Sequence, residues 1–213
     1  MSRNSYNMLL DYTLKLYSSP SCPQCHRVRF VLSEKQLDYD TVKVEGNNKP
    51  SELAEINPYN SVPTLVDRGI VLYDAGIILE YLDERYPHPP LIPADPMTRA
   101  NFRQALYHIE VDWYSQLKKL SSPSKRIADS ARKVMYEILM SNASSFKKHR
   151  YFWDDDFSII DCSIAPVLWR LPSLRVDMPT RSSHPIRRYT KRIFERASFR
   201  KSLEHADDAR KEI

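Results

Sequence analysis

Apolar positions change their period along the chain. Residues 14–17 read as a strand, and the segment after Cys22-Pro23-Gln24-Cys25 reads as a helix with Val28, Phe30, Val31 and Leu32 at its apolar positions. Residues 39–44 alternate as a second strand, so the opening is a β-α-β unit. A short helical turn over 51–56 is broken by Asn57-Pro58-Tyr59-Asn60. Two β-rich runs, 62–66 and 70–72, joined by Asp67-Arg68-Gly69, predict a hairpin. A helix over 75–85 then places Ile77, Ile78, Tyr81 and Leu82 on one face and stops at Tyr86-Pro87.

From Pro87 to Pro96 the pattern gives way to five prolines, each fixing its own backbone and restricting its predecessor. Beyond them every apolar pattern is helical. Phe102, Leu106, Ile109, Trp113 and Leu117 recur about every four residues over 97–120, and 124–146 is a second long amphipathic segment. Ser158-Ile159-Ile160-Asp161 precedes the apolar run 162–171 as a capping box, and Pro166 suggests a kink there. The last helical stretch covers about 185–197, with a shorter one after Phe199. The predicted fold is α/β plus all-α: an α/β domain over 1–88, a linker over 89–96 and an all-helical domain over 97–213.

Composition narrows the chemistry. With 3 glycines against 15 prolines, the chain has no glycine-rich loop to cradle phosphate. No apolar run approaches membrane-spanning length. Three cysteines in 213 residues fit a reducing, cytoplasmic setting better than a disulfide framework. The net charge of +5 is unevenly spread: 9 Lys/Arg against 12 Asp/Glu in residues 1–90, and 23 against 15 afterwards.

Cys22-Pro23-Gln24-Cys25-His26 admits several chemistries. Covalent haem needs two thiols and a neighbouring imidazole in an exported chain, and residues 1–11 do not read as a secretory signal. A structural zinc site lacks further ligands, since the remaining cysteine, Cys162, is isolated. No metal is expected. A redox pair has a mechanism, because a thiol at a helix start feels the positive end of the dipole. Two small packed thiols are the simpler alternative. Pro63, just before a strand, is a candidate cis proline that leaves the Val62 backbone free for an extended ligand.

This order of elements resembles a thioredoxin-like domain, and joined to a helical domain it is similar to the glutathione S-transferase superfamily over essentially the whole chain. Residues 60–68, 80–91, 112–114, 157–162 and 165–172 narrow the likeness to the stringent starvation protein A family. That resemblance implies a homodimer that binds RNA polymerase holoenzyme and alters transcription under stress, without transferase activity and with no cofactor. It places partner binding on Tyr86, Pro87, His88, Pro89, Pro90 and Leu91, where consecutive prolines form a stiff surface. A residual glutathione site would comprise Val62, Pro63, Asp74 and Ala75. The superfamily's Glu-Ser pair is here Asp74-Ala75, and alanine cannot donate a hydrogen bond, which leaves at most weak glutathione binding. The alternative is a glutathione-dependent thiol transferase or glutathione S-transferase using Cys22 and Cys25.

Residues 181–201 hold eight Lys/Arg and one Glu, with Arg188, Arg192, Arg196 and Arg200 at intervals of four. A continuous helix would align them into a stripe able to meet DNA or an acidic protein surface, although a break is expected near Ser198-Phe199.

Overall fold

A computed structural model describes residues 13–46, 48–177 and 183–203. The leader expectation for 1–11 and the first arginine of the basic run, Arg181, lie outside them. The chain forms two compact units, one holding residues up to Pro89 together with those from Ser198, the other residues 90–197.

The first unit is a mixed four-stranded sheet in the order β2-β1-β3-β4 with helices packed on it. β1 (Lys15–Ser18) pairs parallel with β2 (Asp40–Lys43), and the connection between them is α1 (Pro23–Glu34). After α2 (Ser51–Ile56), β3 (Thr64–Asp67) runs antiparallel to β1, and β4 (Ile70–Tyr73) forms the expected hairpin with it. α3 (Ala75–Arg85) closes the unit's sequence-contiguous part. The Val62-Pro63 peptide is cis, and so is His88-Pro89.

α1 is buried at nine consecutive positions, Cys25 to Ser33. A helix covered all round must find partners for its polar side chains. For two of them, partners lie on α10 (Ala197–Leu203): the His26 ring nitrogen Nε2 bonds Ser202 Oγ at 3.0 Å, and Arg29 Nε donates to the Ser202 carbonyl at 3.0 Å. Phe199 fills the space between, with ring centroids 5.3 Å from His26 and 5.2 Å from Phe30. Residues 198–203 therefore pack as part of the sheet-containing unit, whereas the sequence pattern grouped them with the helical domain.

α3 also departs from expectation. Its buried side is Ala75, Ile78, Leu79, Leu82 and Asp83, and Ile77 is 55% exposed. The 3.6-residue period carries Leu79, rather than Ile77, onto the face shared by Ile78 and Leu82.

In the second unit, the segment expected to be helical over 97–120 is a continuous helical run with a π-helical segment inside it. α4 (Pro96–His108), capped by Asp95, runs into a π-helical segment (Ile109–Tyr114) and then α5 (Ser115–Leu120). The wider turn buries Ile109, Trp113 and Tyr114 together, and the Tyr114 hydroxyl donates to the Ser163 carbonyl at 2.9 Å. α6 (Lys125–Ser141) and the short α7 (Ser145–Lys148) follow.

α8 (Ile159–Arg170), with Pro166 inside it, carries the predicted capping box. Asp161 is fully buried, and its carboxylate accepts from the Ser158 amide and hydroxyl, the Phe152 amide and the Tyr189 hydroxyl at 2.7–3.0 Å. Burial pushes the Asp161 carboxyl up, and those four donors oppose it. α9 (His184–Phe194) ends at Glu195-Arg196, a few residues before the expected break. Among the described residues no helix is long and apolar enough to cross a membrane.

Candidate functional site

Strand register gathers the sequence-predicted residues of the first unit at one end of the sheet. Tyr17 of β1 pairs with Thr64 of β3, which pairs with Tyr73 of β4. Consequently the turn into Cys22, the Val62-Pro63 bend and Asp74 leave the same edge of three adjacent strands.

Cys22 is the N-cap of α1, half-exposed, and its sulfur accepts the Cys25 amide at 3.4 Å; Pro23 takes the first helical turn, where no amide is needed. Cys25 is buried behind it, with Sγ accepting the Ser19 amide at 3.4 Å. Burial, then the bond and charge of Cys22, push the Cys25 thiol well up, while the Ser19 amide and the Arg29 charge pull the other way. Arg29 is itself fully buried, donating through Nη1 to Ser18 Oγ at 2.7 Å and the Ser19 carbonyl at 3.2 Å, so it fixes the turn that presents both thiols.

Asp74 sits at φ +72, a positive value uncommon outside glycine. Its carboxylate accepts from the Gly76 amide at 2.8 Å and the Ile77 amide at 3.3 Å, satisfying orphan donors at the start of α3. Gly76 permits that approach, because a Cβ there would meet Asp74 Oδ1 at 3.1 Å. The carboxylate is thus engaged as a cap, and Ala75, 3% exposed, brings no hydroxyl.

At the other end of α3 the proline-rich turn is exposed at Pro87, His88, Pro89 and Pro90 and half-buried at Tyr86. Lys35, the C-cap of α1, braces it. Its ammonium donates to the Tyr86 carbonyl at 2.6 Å and the Pro89 carbonyl at 2.9 Å and pairs with Asp83 at 2.8 Å, with no side-chain exposure. Beneath Tyr86, buried Asp67 accepts the Tyr81 hydroxyl at 2.7 Å; burial, and then this bond, push the Tyr81 phenol up to about 12.

Residues 16–90 match the glutathione S-transferase N-terminal domain and residues 86–197 the glutathione S-transferase C-terminal domain. The chain is 40% identical to a stringent starvation protein A homolog of Coxiella burnetii over 97% of this chain and 99% of that one. A homolog of the same description from Pasteurella multocida is 43% identical over 89% and 90% of the two chains. The chain belongs to the stringent starvation protein A family. Its fold is shared with a Tau class glutathione S-transferase from mango, at a TM-score of 0.80 and 20% identity over 93% of this chain and 97% of that one.

For a member of this family, the six residues expected to bind a partner are not equivalent. Pro87, His88, Pro89 and Pro90 are open to solvent, but Leu91 is 3% exposed in the second unit, where its carbonyl accepts the Ile159 amide at 3.1 Å. Leu91 anchors the helical unit and is withdrawn from solvent; a lone leucine at the end of a proline run was the signal. Sequence reasoning missed Lys35, Arg29 and His26, whose partners are mostly distant in the chain.

The basic stripe is also divided. Arg188 and Arg200 are exposed, but Arg192 donates to the Arg150 carbonyl. Arg196 donates to the Tyr151 hydroxyl at 2.8 Å and lies 4.0 Å over the Phe157 ring. Among the described residues one His/Asp cluster has metal-ligand spacing, His149 with Asp154 and Asp155. Its carboxylates accept the Arg150 and Asp155 amides and so close a surface loop.

Proposed function

We propose that the chain is an RNA polymerase-associated transcription regulator of the starvation response. It uses the glutathione S-transferase fold as a scaffold, acts as a cytoplasmic homodimer and carries out no glutathione transfer. The observation that supports this most is the contrast between an exposed, braced turn after α3 and a turn before it that lacks a side-chain hydroxyl. Pro87 to Pro90 are exposed while Lys35 holds the carbonyls on either side of His88, so docking there sacrifices little conformational freedom. Asp74, by comparison, commits one carboxylate oxygen to two backbone amides, and Ala75 has no side-chain hydroxyl to offer a γ-glutamyl group.

The exposed apolar side chains Tyr59 (74%), Ile70 (47%) and Ile77 (55%) on the first unit supply a surface for a second copy. The remaining exposed arginines, Arg188 and Arg200, are secondary contacts for DNA or an acidic protein surface.

The test is co-purification from bacterial lysate. The tagged full-length chain captures RNA polymerase holoenzyme, and the Pro87→Ala/His88→Ala variant, which alters only exposed side chains, loses most of it. Equal capture by the variant rejects the surface, and no capture by the unaltered chain rejects the function.

A further inference from the structure

Polymerase docking leaves Cys22 and Cys25 unused. We propose that they form a dithiol-disulfide centre that reduces low-molecular-weight or peptide-linked disulfides, with Cys22 the attacking sulfur and Cys25 the resolving one. The division of roles follows from their placement. Cys22 is partly exposed, caps a twelve-residue helix and its sulfur receives the Cys25 amide, so the less buried of the two thiols sits at the positive helix start. Cys25 is sealed from solvent three residues on, one helical turn behind Cys22, where an incoming molecule cannot reach it but a disulfide formed on Cys22 can. Buried Arg29 supplies a positive charge beside it and fixes Ser18 and Ser19, whose backbone holds the Cys25 sulfur.

The substrate is recognised as an extended backbone. Val62 lies two residues before the first rung of β3, and the β1–β3 register puts it at the end of the sheet from which the thiol turn leaves. This recognition differs from γ-glutamyl binding, for which Asp74 and Ala75 are unsuited.

The chemistry balances within the pair. The Cys22 thiolate attacks one sulfur of R–S–S–R′; the S–S bond breaks, R′S⁻ leaves and Cys22–S–S–R remains. The Cys25 thiol gives up its proton and attacks Cys22 Sγ, which expels RS⁻ and forms the Cys22–Cys25 disulfide. The protein is oxidised by two electrons, the substrate is reduced by two, and the two thiol protons end on RSH and R′SH.

Glutathione disulfide is the probe, applied to the reduced full-length chain with products read by mass spectrometry after alkylation. The unaltered chain gains a Cys22–Cys25 linkage and releases two glutathione molecules. Cys25→Ser accumulates one glutathione on Cys22, formed about ten-fold faster than on an unstructured cysteine peptide. Cys22→Ser gives no adduct, and Cys162→Ser behaves as the unaltered chain. Because the linkage is mapped in the unaltered chain, a misfolded variant does not obscure the answer. Stable glutathione adducts without an internal disulfide, attack at Cys25 first, or no reaction each overturn the proposal. Loss of polymerase capture leaves these outcomes unchanged, so the two readings fail separately.

Discussion

The two ends of α3 show how one scaffold divides its chemistry. At the start, Asp74 is turned back onto the helix's own amides, and a glycine makes room for it. At the finish, Lys35 reaches across from α1 to hold two carbonyls, and the side chains between them face solvent. A polar group is buried at one end to stiffen a surface, while at the other one oxygen of an exposed carboxylate is committed to the helix's own amides. Hydrogen-bond capacity is finite, and where each donor or acceptor is already committed decides which end remains available for recognition.

Lys35→Met breaks this comparison most severely. It leaves Asp83 and the Tyr86 and Pro89 carbonyls without their donor in a buried place, and it should lower stability by about 3 to 5 kcal/mol. Urea unfolding measures the loss, and polymerase capture should fall with it. Lys35→Arg keeps the charge but not the compact ammonium, and should recover only part of both.

Ala75→Ser sharpens the comparison from the opposite end. A hydroxyl beside the Asp74 cap should tighten glutathione binding by about 1 kcal/mol, or roughly five-fold, as read by calorimetric titration. An unchanged affinity would mean that the missing hydroxyl is not what disables this turn.

The smallest effect concerns the thiol turn. The Cys25 thiol is raised above its ordinary value chiefly by burial, so the folded chain holds that proton more tightly than the unfolded one. Its contribution is complete below the unfolded thiol's pKa and is lost as pH rises from there through the folded value. Under reducing conditions stability should therefore decline above about pH 8.5, and Cys25→Ala should flatten that part of the profile in urea unfolding.

Much of the first unit was legible because short strands and turns carry their own signals: the alternation over 39–44, the hairpin at Asp67-Arg68-Gly69 and the stop at Tyr86-Pro87. The brace was not. Lys35 ends α1, where a lysine reads as a solvated residue favoured by the helix dipole, and its carbonyl partners are 51 and 54 positions away. Arg29 and His26 were hidden likewise, as polar residues whose burial depends on α10 packing over them. In the second unit, the π-helical segment interrupts a pattern that a continuous helix would also satisfy, since one wide turn barely disturbs the spacing of Ile109, Trp113 and Leu117. The thiol turn was read correctly as a helix start, but which sulfur is exposed depends on the tertiary cover.

On the proposed function, the exposed turn after α3 carries polymerase binding, and neither the turn before that helix nor the thiols do. The most direct measurement is titration of purified RNA polymerase holoenzyme against the Pro87→Ala/His88→Ala and Cys22→Ser/Cys25→Ser variants under reducing conditions. The first should lose affinity by ten-fold or more, on the order of what removing central contacts of an interface costs, while the second should bind as the unaltered chain does. Undiminished binding by the first variant, or loss confined to the second, would contradict that assignment.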